Sequence, residues 1–507
     1  MATTIAGSRN VRDLSKPDEY GFKGLKENVH NGKTTNGFMK SNDLRNGDTD
    51  FGISGGGVPK MDWSKYDTFP GSFEKCTLLT AALTHLGLYI LMFLGFVNQL
   101  LFTPKVATEK NREVCTCTLL VLRFAKSAAV REFTGTERRC INLGSYNYLG
   151  FAGHSTHDEV AAAARLYGLA LCSPRAELGS TRLHRLLEET TANFLGVEAA
   201  IVVGMGFGTN TLGLPGLLGP GSLALSDEKN HASLIMGLRL ARATVRVFRH
   251  NDVRHLEQLA RAAIAERKWT KIVIVVEGVY SMEGTIMEGT IVPLGAMVAL
   301  KRRLGLQLYL DEAHSVGALG PRGRGVCDHA GVAPADVDVL MGTFTKSFGA
   351  AGGYIAGSAK LINWIRQYGH AHTYAHAMSP PVAQQILAAM RLVDEEEGRR
   401  RLRALRENTH YFRDQLRRMG VVTLGHPDSP VVPVLVYTFS KMAATVERLT
   451  ESGVATVGVG FPATPLNKAR IRFCLSASHS RGQLERCVEA MARAVRELGL
   501  DYSRQPR

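Results

Sequence analysis

The sequence predicts an α/β fold in which a mostly parallel β-sheet is covered by helices on both faces. Seven short apolar runs alternate with segments of helical pattern, which is typical of strands buried inside a parallel sheet. After Pro380-Pro381, a long helical stretch over 382–419 leads into a smaller C-terminal α+β region. We expect the seven strands at 200–203, 223–225, 244–248, 272–276, 306–310, 337–341 and 354–355.

The elements on either side of these strands follow from local periodicity. Residues 141–150 have the pattern of a strand and a turn, and 118–130 has the pattern of a short helix. Apolar runs at 431–437 and 471–475 predict strands in the C-terminal region. Further helices are predicted over 157–169, 184–195 and 481–498.

Changes in composition divide the chain into five regions. We expect a polar N-terminal region over 1–75, a membrane-spanning or membrane-inserted helix over 76–103, a linker over 104–133, a large domain over 134–381 and a small domain over 382–507. The membrane helix is predicted because this stretch is uncharged and apolar over a length that suits a bilayer. The alternatives are a buried core helix and a hairpin at the membrane surface.

The charge of the chain argues for an anionic partner other than nucleic acid. The 507 residues carry a formal net charge of +15, but the arginines are spread along predicted helices and form no compact basic block with aromatic residues. A basic surface of this kind suits an anionic membrane or an acyl-CoA. The eight cysteines are scattered without zinc-site spacing, which predicts reduced thiols on the cytosolic side.

A lysine among small and hydroxyl residues is the first candidate for chemistry. Lys346 lies in the run Gly342-Thr343-Phe344-Thr345-Lys346-Ser347, directly after a predicted strand. A lysine amine can form a Schiff base with an aldehyde cofactor, and the neighbouring hydroxyl groups and glycine amides can hold a phosphate. The alternative is a surface loop with a solvated lysine.

A second stretch of the sequence favours the Schiff-base role of Lys346 over a surface loop. Asp311 ends the apolar run at 306–310, where α/β sheets place residues that contact ligands, and His314 follows it. A carboxylate in this position can pair with the protonated pyridine nitrogen of pyridoxal phosphate (PLP), as the cofactor requires to act as an electron sink. The alternative for Asp311 is a helix N-cap.

Other strand ends offer further candidates. The Gly204-Met205-Gly206-Phe207-Gly208 run follows a strand and opens a helix, whose backbone amides favour phosphate. His231 could stack on a cofactor ring or simply start a helix, and Ser281 is a candidate cofactor contact.

Two residues are candidates for substrate binding. Arg472 could bind a carboxylate through its bidentate guanidinium, or form a surface ion pair. Asn147 could contact the substrate, or form a turn.

Several of these motifs together resemble the α-oxoamine synthases, PLP enzymes that condense an amino acid with an acyl-CoA and lose CO2. Within that family, the chain looks most like the catalytic (LCB2-type) subunit of serine palmitoyltransferase. The resemblance implies a PLP-dependent transferase of fold type I, aspartate aminotransferase-like, with a mostly parallel seven-stranded sheet. The motifs that carry it are 342–353, 311–317, 227–233, Gly-Val-Gly-Phe-Pro-Ala-Thr-Pro at 458–465, and Ser379-Pro380-Pro381.

The resemblance also implies a role for each residue that matches the family pattern. Lys346 would bond the cofactor aldehyde and handle the α-proton of the substrate. Asp311 would pair with the pyridinium nitrogen, and His314 with the ring hydroxyl. His231 would stack on the cofactor ring.

The remaining roles concern the cofactor phosphate and the substrate. Gly206, Phe207 and Thr343 would lie by the phosphate, and Ser281 near the cofactor. Arg472 would hold the serine carboxylate. No metal site is predicted.

The implied reaction is the condensation of L-serine with palmitoyl-CoA to 3-oxosphinganine, CoA and CO2. The resemblance implies an LCB1-type non-catalytic subunit as the partner, membrane lipid around the apolar helix, and the endoplasmic reticulum membrane as the location, with the catalytic domain facing the cytosol. Two alternatives are another α-oxoamine synthase that uses a different amino acid and an inactive, scaffold-like subunit.

Overall fold

The strands lie in three sheets of the computed structural model, which describes residues 86, 90, 111–115, 119–125, 133–153, 156–280, 289–461 and 464–503. The strands are β1 (Asn111–Cys115), β2 (Leu119–Ala125), β3 (Phe133–Asn142), β4 (Ala199–Val203), β5 (Ser222–Asp227), β6 (Thr244–Phe248), β7 (Lys271–Glu277), β8 (Gln307–Asp311), β9 (Val339–Thr343), β10 (Gly353–Gly357), β11 (Val431–Tyr437), β12 (Val454–Ala455), β13 (Val457–Val459) and β14 (Ala469–Cys474).

The helices fall mainly between the strands of the largest sheet and after its last strand. They are α1 (His157–Tyr167), α2 (Arg182–Leu195), α3 (Gly206–Leu217), α4 (Ala232–Leu240), α5 (Val253–Ala265), α6 (Leu294–Leu304), α7 (Val326–Ala330), α8 (Ala359–Tyr368), α9 (His370–Thr373), α10 (Pro380–Asp394), α11 (Glu396–Arg418), α12 (Phe439–Glu451) and α13 (Arg481–Leu498).

The largest sheet has seven strands in the order β4-β10-β9-β8-β7-β5-β6. Strand β10 pairs antiparallel with both of its neighbours, whereas the pairs from β9 to β6 are parallel, so the sheet is mixed. Each of the seven predicted strands is confirmed as a strand of this sheet. The parallel strands end at one edge, and this edge carries Asp227, Glu277 and Asp311.

The two faces of this sheet pack into two apolar clusters, which confirms the predicted layered arrangement. Along β7, Ile274 and Val276 belong to the larger cluster, while Val273 and Val275 belong to the smaller one. This alternation follows from the period of two in a strand, which points successive side chains to opposite faces. Both faces of the sheet are therefore removed from solvent along its central strands, although the edge strand β6 exposes Val245 and Val247, and the polar ends of the central strands can support a buried site.

The smaller sheets lie outside this layer. Strands β11, β14 and β13 form an antiparallel C-terminal sheet, and β1, β2, β3 and β12 form a four-stranded sheet in that order. The short helix predicted over 118–130 is wrong, because β2 covers Leu119–Ala125 and pairs antiparallel with β3. Pairing with strands on both sides satisfies the backbone of this apolar run better than an isolated short helix would.

The long helical stretch predicted over 382–419 consists of two helices. Glu395 separates α10 from α11 with an extended backbone (φ −87°, ψ 177°). The membrane segment predicted at 76–103 lies outside the described residues except for Leu86 and Ile90, which are both helical. Within the part of the chain that the structure describes, no helix combines the length and apolar character needed to cross a membrane.

Candidate active site

A cavity of about 280 Å³ opens at the carboxyl ends of the parallel strands. Loops after β7, β8 and β9 and the first turns of α3 and α4 surround it, as expected for a ligand site in an open α/β sheet. Seven of the eight predicted cofactor-binding residues therefore come together. The lining side chains and backbone belong to Met205, Gly206, Phe207, Asn210, His231, Ser233, Glu277, Asp311, Ala313, His314, Met341, Thr343, Thr345 and Lys346.

Asp311 is the buried anion at the inner end of the cavity. It is the last residue of β8 and is only 3% exposed. Its Oδ2 accepts a hydrogen bond from Asn210 Nδ2 at 2.8 Å, and its Oδ1 accepts one from the Ala313 N–H at 2.8 Å. Tyr309 Oη in turn donates to Asn210 Oδ1 at 2.7 Å. The carboxylate is thus held in one orientation by groups that are themselves fixed.

Lys346 faces this anion from the loop that follows β9. Burial, opposed by the charges of Asp311 and Glu277 and assisted by that of Arg472, lowers the pKa of Lys346 to about 8. The ordinary value is near 10.4. A substantial fraction of the amine is therefore neutral near physiological pH, which is the form that reacts with a carbonyl carbon.

His314 is held by a tyrosine. Tyr148 Oη lies 2.8 Å from His314 Nδ1, and burial raises the pKa of Tyr148 well above its usual range. Burial also lowers the pKa of His314, as do the charges of Lys346 and His231. A protonated phenol beside a neutral imidazole donates to Nδ1, so we assign the ring hydrogen to Nε2.

His231 and Glu277 form the side of the cavity nearest β7. His231 is the N-cap of α4, and its Nδ1 accepts from the Ser233 N–H at 3.2 Å. The N–H of His231 donates to the Glu277 carboxylate. Burial raises the pKa of Glu277, and so do the nearby charges of Asp311 and Asp227. Glu277 therefore anchors the backbone of His231.

The outer end of the cavity combines a helix N-terminus with hydroxyl groups. Gly206 is the first residue of α3, whose N-terminus has no side-chain cap. A Cβ at Gly206 would lie 2.7 Å from Thr343 Oγ1, so only glycine leaves this space open. Thr343 Oγ1 donates to the Gly352 carbonyl at 2.9 Å and is 2.7 Å from Thr345 Oγ1. Uncapped amides and hydroxyls in an open cradle fit the phosphate of PLP.

The ring of Tyr146 connects the cavity to Arg472. The Lys346 Nζ lies 5.8 Å and the Arg472 guanidinium carbon 4.6 Å from the centre of this ring, and His314 packs edge-on to it at 5.0 Å. Arg472 lies in β14 and is 5% exposed. The structure therefore places the predicted carboxylate-binding arginine and the predicted reactive lysine beside the same aromatic ring.

Apart from Arg472, two predicted site residues do not lie in the described cavity wall. Asn147 Oδ1 accepts from the Ala152 N–H at 3.3 Å, and its carbonyl accepts from Gly150 N–H at 3.1 Å, which is the geometry of the alternative role, a turn. Its contact with substrate stays a prediction. Ser281 lies outside the described residues, and its cofactor contact also stays a prediction.

Sequence reasoning missed Asn210 and Thr345. Asn210 lies one helical turn after Gly206, so a test of i, i+4 positions from the phosphate-binding glycine would have found it. Thr345 is exposed, and its N–H donates to Thr343 Oγ1 at 3.2 Å. Its proximity to Lys346 in the sequence was the available signal.

Comparisons with known proteins give a consistent result. Residues 138–491 match the family model "Aminotransferase class I and II". The chain is 46% identical over 387 residues to serine palmitoyltransferase 3 of Homo sapiens, and this match covers 73% of this chain and 69% of the relative. It is 45% identical over 376 residues to long chain base biosynthesis protein 2a of Arabidopsis thaliana, covering 72% and 76% of the two chains.

Solved structures resemble the fold over most of its length. A high-resolution structure of SPT with a PLP internal aldimine superposes with a TM-score of 0.70 at 26% identity, covering 81% of this chain and 98% of that chain. The serine palmitoyltransferase of Sphingomonas wittichii superposes with the same TM-score of 0.70 at 28% identity, covering 81% and 97%. An α/β fold of PLP fold type I, with a mixed seven-stranded sheet, agrees with these comparisons.

Proposed function

This chain belongs to the serine palmitoyltransferase family within the class I and II aminotransferases, and we propose that it condenses L-serine with palmitoyl-CoA to 3-oxosphinganine, CoA and CO2. This condensation is the first step of sphingolipid synthesis. The observation that carries the proposal is that Lys346, Asp311 and His314 face one cavity. An amine, a buried carboxylate and a neutral imidazole are the groups that amino-acid chemistry with a pyridine aldehyde requires.

The residues present fit PLP at both ends of the cavity. Lys346 would hold its aldehyde carbon, and Asp311 would pair with its pyridinium nitrogen. The amides of Gly206 and Phe207 would bind its phosphate, and the His231 ring would cover its face. When bound, PLP supplies an electron sink that stabilises negative charge at the serine Cα.

Thr345 would add its hydroxyl to the phosphate site beside Thr343. The Thr343 hydroxyl hydrogen is directed to the Gly352 carbonyl, whereas Thr345 is exposed at the cavity. The Thr345 hydroxyl is then the donor in its 2.7 Å contact with Thr343 Oγ1, and it would turn from Thr343 to the anion when the phosphate binds. His314, with its hydrogen on Nε2, would donate to the cofactor's ring hydroxyl.

Proton transfer at the serine Cα is assigned to Lys346. The Lys346 amine lies in the wall of the cavity, and its pKa of about 8 lets it both accept and return a proton near neutral pH. Asp311 and Glu277 oppose the lowering of this pKa, so the ammonium form is also stabilised. The lysine is therefore balanced between the two protonation states that a proton carrier needs.

The substrate carboxylate is assigned to Arg472. Its guanidinium is buried and lies against Tyr146, which restricts its rotation and presents a bidentate donor. A carboxylate fixed there would set the orientation of the bond that breaks when CO2 is lost. Asn147 is the second proposed substrate contact, from the turn after β3.

Exposed apolar side chains at the mouth of the cavity support a partner subunit. Met205 is 60% and Phe207 41% exposed, and Ile235 and Met236 are exposed on the neighbouring helix α4. Large exposed apolar groups around a site are typical of protein interfaces. We propose that an LCB1-type non-catalytic subunit covers this mouth.

The membrane and the compartment are proposed from the sequence. The apolar stretch at 76–103 would enter the bilayer, and the net charge of +15 favours an anionic lipid surface. We propose the endoplasmic reticulum membrane, with the cavity facing the cytosol, where acyl-CoA is supplied.

The proposal is tested with labelled L-serine, palmitoyl-CoA and membranes that contain this chain together with an LCB1-type subunit. We expect labelled 3-oxosphinganine from the native chain and none from Lys346→Ala. Lys360→Ala is a matched control, because Lys360 lies in the exposed first turn of α8.

Substitute amino acids separate the alternatives in the same assay. Product from glycine or alanine in preference to serine would assign a different α-oxoamine synthase. Equal product with native chain and Lys346→Ala would assign the turnover to another protein and leave this chain as a scaffold.

A further inference from the structure

Three histidines and one aspartate meet between α7 and the C-terminal region, outside the wall of the cavity. His329 lies in α7 and His410 in α11, while His426 and Asp428 belong to the turn that precedes β11. The cluster thus joins α7 to two segments that follow much later in the sequence. Histidine nitrogens with one carboxylate form a donor set typical of zinc sites in proteins.

The donor atoms are close together. One potential ligand atom from each of His329, His426 and Asp428 lies within 4.8 Å of the others. The rings of His329 and His426 are perpendicular, with centroids 5.7 Å apart. A contraction of about 1–2 Å would bring these atoms to the spacing of ligands that each lie about 2 Å from a metal ion. Rotations of half-buried side chains supply a movement of this size.

The backbone holds the turn in place. The His426 N–H donates to the Gly289 carbonyl at 2.8 Å, and the Asp428 N–H donates to His426 Nδ1 at 3.2 Å. His410 Nε2 lies 2.7 Å from Asp428 Oδ1, so a second histidine already orients the carboxylate. Ligands oriented by neighbours in this way are characteristic of metal sites.

Nearby arginines oppose a cation at this site. Arg406 Nε lies 3.4 Å from Asp428 Oδ1, and Arg413 is bonded to the carbonyls of the same turn.

We propose that His329, His426 and Asp428 bind a divalent transition metal, with zinc the best match, and that His410 orients Asp428. The metal would link α7 to the turn before β11 and, through His410, to α11. Its role is structural, because none of these residues lines the catalytic cavity. Arg406 is the main electrostatic competitor, so its removal strengthens binding.

The test is zinc titration of the full-length, PLP-loaded chain by calorimetry, with bound metal counted by mass spectrometry. We expect one zinc per chain in the native protein, and at least a tenfold weaker affinity in His329→Ala and in His426→Ala. His157→Ala is the matched control, since this exposed histidine begins α1, and it should bind zinc as the native protein does. Arg406→Gln removes an exposed charge from Asp428 and should bind zinc several-fold more tightly.

Cobalt(II) provides a second measurement. Bound at this site, it should give a visible spectrum of nitrogen and oxygen ligands without the thiolate-to-cobalt band that a site at the exposed Cys172 would produce. Loss of the spectrum in His426→Ala, with an unchanged thermal unfolding midpoint in the absence of metal, would support the proposal. Zinc affinity that is the same in the native chain and in both histidine variants, or an absence of binding, would overturn it.

Discussion

At the inner end of the cavity, Asp311 and Asn210 are almost completely buried and joined by a hydrogen bond, whereas at the mouth Met205, Phe207 and Thr345 are exposed. The inner end is held in place by side chains that are hydrogen-bonded to one another. The mouth has an uncapped helix N-terminus and apolar groups without cover among the described residues. The difference indicates that the chain itself holds the groups at the inner end in place, whereas the outer end is open for the cofactor phosphate and for the proposed partner subunit.

The largest effect should follow from removing the inner anion. In Asp311→Asn, the new amide would place a donor against Asn210 Nδ2, and the positive charge on a bound pyridine ring would lose its partner. We expect turnover to fall by about 10²–10³-fold, as when a fixed electrostatic group is removed from an active site. The measurement is 3-oxosphinganine formation at saturating serine.

Asp414→Asn is the matched control for this substitution, because Asp414 has a 57% exposed side chain in α11. Activity within a factor of two in Asp311→Asn would show that the buried carboxylate is structural.

The second effect concerns pH. The pKa of Lys346 is lowered to about 8, so the neutral, reactive fraction of the amine rises as the pH rises through about 8. In the cofactor-free chain, the rate of covalent PLP attachment should therefore rise about tenfold for each pH unit below 8 and level off above it. Attachment is followed by absorbance, with Lys346→Ala as the background. If the attachment rate instead levelled off only near pH 10, the amine would be solvated and the cavity would not lower its pKa.

A smaller effect is expected at the mouth. In Gly206→Ala, the added methyl group would lie 2.7 Å from Thr343 Oγ1 and fill the space assigned to the phosphate. We expect PLP affinity to fall about tenfold, or ~1.4 kcal/mol, while the bound enzyme keeps its turnover. Gly482→Ala is the control, because a Cβ at Gly482 meets nothing within 4 Å. An unchanged PLP affinity in Gly206→Ala would show that the phosphate does not bind at the start of α3.

The smallest effect tests how the inner end is oriented. Tyr148→Phe removes the hydroxyl that lies 2.8 Å from His314 Nδ1 and leaves the ring packing intact. The loss of one buried hydrogen bond should lower turnover about threefold to tenfold. The pH profile should also shift, since the Tyr148 hydroxyl donates to the neutral imidazole and its removal favours protonation of His314. Tyr368→Phe, at an exposed tyrosine, is the control, and an unchanged profile would mean that Tyr148 only fills space.

Much of the sheet and of the inner site could be predicted because both depend on local pattern. Apolar runs bounded by turns identified all seven strands of the large sheet, and Asp311 was recognised because it ends one of them. The apolar run at β2 was misread as a helix because its strand character comes from pairing with β1 and β3. Asn210 was missed because its role depends on contact with Asp311, which is distant in the sequence.

The sequence by itself determined the order of strands and helices, the reactive lysine and the acid at a strand end, because periodicity and local motif are properties of neighbouring residues. Only the tertiary structure decided that β10 runs antiparallel, that Arg472 and Lys346 lie beside the same Tyr146 ring, and that Asn210 holds Asp311. It also lowered the pKa of Lys346, since desolvation arises from surrounding groups contributed by the whole fold.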